Sequence, residues 1–108
     1  MKQLAPTQLR TWPAGQPATL LDVREPWEVE LASVQVDGLT VRHIPMGQIP
    51  ARLGELDPSQ TVVCLCHHGM RSAQVVTFLE RQGFDAVYNL AGGIDAWSAT
   101  VDPRVPRY

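Results

Sequence analysis

Short apolar runs alternate with amphipathic segments along most of the chain. The apolar runs predict buried strands at residues 19–23, 39–44, 61–66 and 86–90. The segments between them predict helices at residues 6–12, 26–32, 50–56 and 72–82, and a short last helix after Gly92 and Gly93. Strands that alternate with helices are typical of βαβ units and a mostly parallel sheet. We therefore expect an α/β fold with an open, doubly wound sheet of five strands, one more than the four that these apolar runs locate.

The length of the chain is that of one domain. Its 108 residues are enough for a single hydrophobic core, and its apolar fraction of 44% is ordinary for a globular protein. We predict one domain over residues 1–108. Residues 103–108 are predicted to form an extended tail, because Pro103 and Pro106 cannot continue a helix. This tail is either a strap on the surface or a frayed end.

Charge and hydropathy argue against several classes of partner. The net charge of −2 gives no reason to expect nucleic acid, whose binding proteins usually carry a basic patch. No apolar run approaches the ~20 residues that a membrane span needs, and residues 1–6 lack the apolar region of a signal peptide. We therefore expect a soluble, cytoplasmic protein with no membrane partner. A small domain with so little net charge is expected to be a monomer.

One loop carries most of the candidate chemistry. It joins the strand predicted at residues 61–66 to the helix predicted from Ser72, and it consists of Cys66, His67, His68, Gly69, Met70 and Arg71. A strand, a tight loop and a helix N-terminus form the geometry that binds anions on backbone N–H groups. The helix dipole and Arg71 both favour the thiolate form of a cysteine in this loop. Cys66 is therefore a candidate nucleophile for an anionic substrate.

The second cysteine, Cys64, lies two residues before Cys66 on the same predicted strand. That spacing makes a poor disulfide, so Cys64 is interpreted as a buried core residue. The two cysteines and the two histidines of this stretch together suggest a metal site. Four ligands within five residues cannot easily surround a tetrahedral ion, however, so we expect no metal and no other cofactor.

Three segments of the chain, in this order and spacing, resemble the rhodanese family of sulfurtransferases. They are residues 21–28, the loop from Cys66 to Ser72, and residues 89–97. The resemblance covers nearly the whole chain. It implies a rhodanese-like fold of three layers (α/β/α) around a mostly parallel, five-stranded sheet. It also implies that the protein is an enzyme, a thiosulfate sulfurtransferase.

The reaction that the resemblance implies is a double displacement. The Cys66 thiolate attacks the outer sulfur of thiosulfate or another sulfane-sulfur donor, and Cys66 then carries a persulfide. Cyanide or a cellular thiol accepts that sulfur. Backbone N–H groups from His67 to Ser72 would stabilise the anionic persulfide, as an oxyanion hole stabilises an oxyanion. Gly69 permits a loop conformation that a residue with a Cβ atom would resist.

The size and charge of the loop refine this interpretation. Four residues separate Cys66 from Arg71, whereas phosphatases of similar fold have a loop one residue longer that accommodates a tetrahedral phosphate. The shorter loop suits one sulfur atom. The rim of the loop is cationic, with His67, His68 and Arg71, and suits the thiosulfate dianion better than 3-mercaptopyruvate. The sequence leaves open whether the two histidine side chains contact the substrate.

Asp22 and Arg24 lie at the end of the first predicted strand. Because the carboxyl ends of parallel strands meet at one edge of a sheet, we expect them in the same cleft as Cys66. We predict that they support the site, with Asp22 paired to Arg24 or Arg71, since thiolate attack on a sulfane sulfur needs no general base. Arg71 is expected to organise the loop by pairing with a carboxylate or with loop carbonyl groups.

A second hypothesis belongs to a different functional class. The domain would be a sulfur-relay or interaction module that a partner protein loads with persulfide sulfur and that turns over thiosulfate poorly. The same loop serves both functions, so the sequence does not separate the two hypotheses.

Overall fold

The computed structural model describes residues 1–108 and contains five strands and four α-helices. The strands are β1 (Lys2–Leu4), β2 (Ala18–Asp22), β3 (Leu39–His43), β4 (Thr61–Leu65) and β5 (Val87–Leu90). The helices are α1 (Pro6–Arg10), α2 (Pro26–Leu31), α3 (Met70–Arg81) and α4 (Gly93–Thr100). Two short 3₁₀ turns, Met46–Gln48 and Leu53–Glu55, lie between β3 and β4. None of the helices is both long enough and apolar enough to cross a bilayer.

All five strands are parallel and form one sheet in the order β1-β5-β4-β2-β3. The predicted five-stranded, mostly parallel sheet is therefore confirmed. Strand β4 lies at the centre, and Leu65 at its end pairs in register with Asp22 at the end of β2. The chain segments that follow these two strands meet at the carboxyl edge of the sheet, where open α/β sheets bind ligands.

Strand β1 is the one that the hydropathy pattern does not locate. It has only three residues and forms an edge of the sheet beside β5. Leu4 is its only buried residue. A single buried side chain leaves no periodic pattern in the sequence, so this strand depends on its pairing with β5.

Alternate residues of the central strands pack against helices on opposite faces of the sheet. One buried cluster joins Leu21, Val62 and Cys64 to Val75, Val76 and Leu79 of α3. A second buried cluster joins Leu20, Val63 and Leu65 to Leu9 of α1 and to Ile94 and Trp97 of α4. Helices on both faces give three layers, which confirms the expected α/β/α architecture. Cys64 is a fully buried core residue, as predicted, and it forms no disulfide.

Helix α3 begins at Met70, two residues before the predicted start at Ser72. Gly69 lies immediately before the helix with a φ of 101°, a left-handed conformation that favours glycine. The Ala73 N–H group donates to the Gly69 carbonyl oxygen at 3.2 Å. The tight turn at Gly69 therefore starts the helix inside the loop, so that Met70, Arg71 and Ser72 form its first turn.

The prediction of an α-helix at residues 50–56 is wrong. In its place the structure has the 3₁₀ turn Leu53–Glu55. The Glu55 N–H group donates to the Arg52 carbonyl oxygen, three residues earlier, as in other 3₁₀ turns. Gly54 lies in the middle of the segment and weakens an α-helix, and a segment this short has too few helical hydrogen bonds to compensate.

The tail, residues 103–108, folds back onto the domain. Tyr108 packs against the buried cluster that contains residues of α1 and α4. The Arg107 guanidinium group pairs with the Asp95 carboxylate, with 3.0 Å between Nε and Oδ1. The tail is thus a strap on the surface rather than a frayed end, and its last side chain reaches the loop after β4.

Candidate active site

Cys66 is the first residue after β4, at the carboxyl edge of the sheet. The residue is only 1% exposed, and it borders a cavity of about 270 Å³. The residues that line this cavity are Cys66, His67, His68, Met70 and Arg71. The structure therefore brings most of the predicted loop residues around the sulfur atom of Cys66.

Helix α4 binds the carbonyl groups at the start of the loop. The Ile94 N–H group donates to the Cys66 carbonyl oxygen at 2.9 Å, and the Asp95 N–H group donates to that of His67 at 3.1 Å. Both donors belong to the first turn of α4, where a helix offers no acceptors of its own. Gly93 makes this approach possible, because its φ is 62° and a Cβ atom there would collide with the same two carbonyl groups.

Most backbone N–H groups of the loop have no acceptor within the protein. The Gly69 N–H group donates to the Cys66 sulfur at 3.0 Å. Five further N–H groups have no acceptor within the protein, namely those of His67, His68, Met70, Arg71 and Ser72. Three of these five belong to the first turn of α3, so the positive end of the helix dipole lies at the same place. The loop therefore favours negative charge beside Cys66.

Asn89 of β5 holds the opposite side of the loop. Its amide nitrogen donates to the Gly69 carbonyl oxygen at 3.0 Å, so its amide oxygen faces Ser72, whose hydroxyl oxygen lies 2.5 Å away. The same hydroxyl oxygen lies 3.3 Å from the Cys66 sulfur. A hydroxyl group has one proton to donate. Ser72 therefore donates either to Asn89 or to an anionic sulfur at Cys66.

Arg71 pairs with Glu28 of α2. Nη1 lies 2.7 Å from Oε2 and Nη2 lies 2.8 Å from Oε1, which makes a bidentate ion pair. The hydrogen bonds from Arg71 lower the pKa of Glu28 to about 2, although burial acts in the opposite direction. The sequence predicts that Arg71 pairs with a carboxylate or with loop carbonyl groups. In the structure the partner is the carboxylate of Glu28, not that of Asp22.

Asp22 and Arg24 form a second ion pair, which is buried. Nε and Nη2 of Arg24 donate to the two carboxylate oxygens of Asp22, at 2.9 and 2.7 Å. Arg24 also donates to the carbonyl oxygens of Glu28 and Ala32, at 3.2 and 2.7 Å. The pair therefore anchors α2 to the end of β2, and neither residue forms a hydrogen bond with Cys66.

Three aromatic rings stack beside the cavity. The His67 ring stacks on those of Tyr108 and His68, with centroid separations of 3.9 Å in both pairs. Burial, followed by the proximity of His68, lowers the pKa of His67, which favours its neutral form at neutral pH. With Arg71 already paired to Glu28, the rim carries less free positive charge than the sequence suggests.

One group of potential metal ligands lies near the loop. A ring nitrogen each of His67 and His68 and a carboxylate oxygen of Asp95 lie within 4.8 Å of one another. The two rings are stacked with only 25° between their planes, so their in-plane lone pairs do not converge on one ion. The carboxylate of Asp95 is also bound to Arg107 at 3.0 Å. These residues therefore do not fit a metal site.

Comparison with known proteins identifies the family. Residues 5–100 match the family model of the rhodanese-like domain. The chain belongs to the rhodanese family. The putative sulfurtransferase YtwF of Bacillus subtilis is 38% identical to this rhodanese over 93 residues, which cover 84% of each chain.

Two further relatives differ in how much of their length the rhodanese domain makes up. A rhodanese-like/PpiC domain-containing protein of Arabidopsis thaliana is 44% identical over 95 residues. The match covers 84% of this chain, but only 30% of that longer protein. A rhodanese-like domain protein from Staphylococcus aureus has a solved structure with a TM-score of 0.79 at 28% identity, and the match covers 100% of this chain and 99% of that one. The rhodanese domain thus occurs both alone and as a part of larger proteins.

Several residues of this rhodanese site are absent from the predictions made on the sequence. They are Glu28, Asn89, Asp95 and Tyr108. The first three lie inside the segments that carry the family resemblance, so the family pattern is the information that could have found them. Tyr108 lies outside those segments, and no sequence pattern indicates its contact with the loop.

The close approach of α4 predicts a large effect of substituting Gly93. We expect Gly93→Ala to lower the free energy of unfolding by about 3 kcal/mol, because the new Cβ atom strains the backbone and displaces the loop carbonyl groups. Urea denaturation measures this change. Gly47→Ala is the matched control, since a Cβ atom at Gly47 meets nothing within 4 Å. Equal stabilities of the two variants would contradict the packing described here.

The pair between Glu28 and Arg71 predicts a stability difference that depends on pH. Because folding lowers the pKa of Glu28 from 4.5 to about 2, its charge stabilises the fold above pH 4.5, and this contribution is lost as the pH falls towards 2. We expect Glu28→Gln to lower the free energy of unfolding by about 1 kcal/mol at neutral pH, a modest value because Arg71 is partly exposed. The difference should shrink in acid, as urea denaturation at several pH values would measure.

The control for this experiment is Glu30→Gln, which changes an exposed carboxylate on the same helix. It should leave the pH dependence of stability as it is in the wild-type protein. If Glu28→Gln lowers the free energy of unfolding as much in acid as at neutral pH, the charge of Glu28 does not stabilise the fold.

Proposed function

We propose that this protein is a sulfurtransferase that moves a sulfane sulfur from thiosulfate to a thiophilic acceptor through a persulfide on Cys66. The observation that carries the proposal is the position of the Cys66 sulfur against a loop whose N–H groups have no other acceptor. Membership of the rhodanese family and the relative named as a putative sulfurtransferase support it. The acceptor is cyanide in an assay or a thiol in the cell.

In the first half-reaction the Cys66 thiolate attacks the outer sulfur of thiosulfate. A new S–S bond to Cys66 forms while the S–S bond of thiosulfate breaks, and sulfite leaves with the electron pair of the broken bond. No proton is transferred, so no general base is needed. In agreement with this, the carboxylates of Asp22 and Glu28 are both occupied by arginine side chains.

In the second half-reaction the acceptor removes the terminal sulfur. The persulfide carries its negative charge on that atom, and the free N–H groups of the loop are positioned to stabilise it. The Ser72 hydroxyl group, 3.3 Å from the Cys66 sulfur, is a further donor when its proton turns from Asn89 to the sulfur. Attack by cyanide or a thiolate transfers the terminal sulfur and regenerates the Cys66 thiolate.

Arg71 is the side chain best placed to select an anionic donor. Its guanidinium group has five N–H donors, and Glu28 accepts hydrogen bonds from two of them. The others remain available at the rim, where the Arg71 side chain is 36% exposed. The doubly charged thiosulfate would place its sulfonate oxygens near Arg71 and its outer sulfur towards Cys66.

Uptake of sulfur by Cys66 tests this proposal. After incubation with thiosulfate, the intact mass of the protein should rise by about 32 Da, the mass of one sulfur atom, and should return to its starting value on addition of cyanide. The Cys66→Ser variant should show no rise. Cys64→Ala is the matched control, because Cys64 is buried in the core and should not be needed for uptake. No adduct on the wild-type protein at millimolar thiosulfate would refute the proposal.

A sulfur-relay or interaction module is the second candidate function. Met70, which borders the cavity, is 78% exposed, and Trp27, which contacts Tyr108, is 60% exposed. Large apolar side chains exposed around a reactive site favour contact with a partner protein. In this case a partner would deliver sulfur directly to Cys66, and thiosulfate would be a poor donor.

Kinetic measurements separate the two candidates. A very high KM for thiosulfate, combined with rapid loading of Cys66 by a cysteine desulfurase, would favour the relay. Efficient turnover of thiosulfate, combined with slow loading by the desulfurase, would favour the thiosulfate sulfurtransferase.

A further inference from the structure

Tyr108 joins the side chains of two ion pairs that share no direct side-chain hydrogen bond. Its hydroxyl group donates to Oε1 of Glu28 at 2.9 Å and accepts from Nη1 of Arg24 at 3.0 Å. Arg24 is paired with Asp22, and Glu28 is paired with Arg71. A continuous series of hydrogen bonds therefore runs from the end of β2, through Tyr108, to the arginine at the rim of the active-site cavity.

Helix α2, which carries Glu28, depends on polar contacts for its position. It has only six residues, and Glu28 is the only one of them that is buried. Apolar packing therefore contributes little to its placement. The hydrogen bonds from Arg24 to the backbone and from Tyr108 to the carboxylate supply the missing contacts.

The hydroxyl group of Tyr108 is held in place by the contacts of the rest of the residue. The ring stacks on His67 with 3.9 Å between centroids and meets the Trp27 ring edge-on at 6.1 Å. The ion pair between Arg107 and Asp95 holds the preceding residue of the strap. The strap thus presents one hydroxyl group, at a defined position, to the two ion pairs.

We propose that Tyr108 is a positioning residue for Arg71. Its hydroxyl group holds the Glu28 carboxylate, which in turn holds the Arg71 guanidinium group at the rim of the cavity. The consequence for donor binding rests on the proposed function, whereas the consequence for the order of the Arg71 side chain does not. Because Tyr108 takes no part in the transfer of sulfur, its hydroxyl group should affect KM for the anionic donor much more than kcat.

The Tyr108→Phe variant tests this role, because it removes the hydroxyl group and keeps the ring on His67. We expect KM for thiosulfate to rise about fivefold, with kcat within about twofold of the wild-type value. NMR relaxation of the Arg71 Nε–H group should give a lower order parameter, since the guanidinium group is held less tightly. Tyr88→Phe is the matched control, because the Tyr88 hydroxyl group has no hydrogen bond within the protein and its ring faces Lys2.

The outcomes are distinguishable from failure of the proposed function. An unchanged Arg71 order parameter in Tyr108→Phe overturns the proposal, even if the melting temperature falls, because Tyr108 would then be only structural. A lower order parameter with an unchanged KM supports the positioning of Arg71 and overturns its effect on donor binding. If the wild-type protein takes up no sulfur from thiosulfate, the proposed function is refuted. The Arg71 order parameter alone then tests whether Tyr108 positions Arg71.

A second variant, Tyr108→Ala, removes both the hydroxyl group and the ring. It should lower the Arg71 order parameter at least as much as Tyr108→Phe does. If Tyr108→Ala disturbs Arg71 and Tyr108→Phe does not, the ring rather than the hydroxyl group is responsible, and the proposal is overturned.

Discussion

The candidate active site depends on two hydrogen bonds that α4 donates to the loop after β4. A tight loop can present either carbonyl oxygens or N–H groups to the atom that it surrounds. Ile94 and Asp95 bind the carbonyl groups of Cys66 and His67, so the N–H groups are the ones left without acceptors. Helix α4 can approach this closely because Gly93 has no side chain. The absence of one Cβ atom therefore decides the sign of the charge that the loop favours.

The side chains around the loop add less charge than their number suggests. Arg71 is bound to Glu28, and the pKa of His67 is lowered by burial and by the proximity of His68. The stabilisation of an anionic sulfur therefore rests mainly on backbone N–H groups and on the dipole of α3. The role that we propose for the side chains is a different one, namely to orient an anionic donor at the rim. In this proposal Tyr108 contributes through its hydrogen bond to Glu28.

The sequence predicted those features that follow from local patterns. Alternating apolar and amphipathic segments indicated the parallel sheet, and the segment around Cys66 indicated the tight loop between β4 and α3. The contacts of Arg71 with Glu28, 43 residues away, and of Tyr108 with Glu28, 80 residues away, have no periodic pattern and arise only from tertiary packing. Local patterns also failed at residues 50–56, where Gly54 interrupts a short segment and a 3₁₀ turn replaces the predicted α-helix.

A crystal structure of the protein after reaction with thiosulfate tests the central claim most directly, because it shows the sulfur adduct and the loop together. The arrangement described here predicts a second sulfur atom bonded to the Cys66 sulfur, with several backbone nitrogen atoms of the loop within about 3.5 Å of it. An adduct that points away from those nitrogen atoms, or a loop that turns its carbonyl oxygens towards the added sulfur, would contradict the claim.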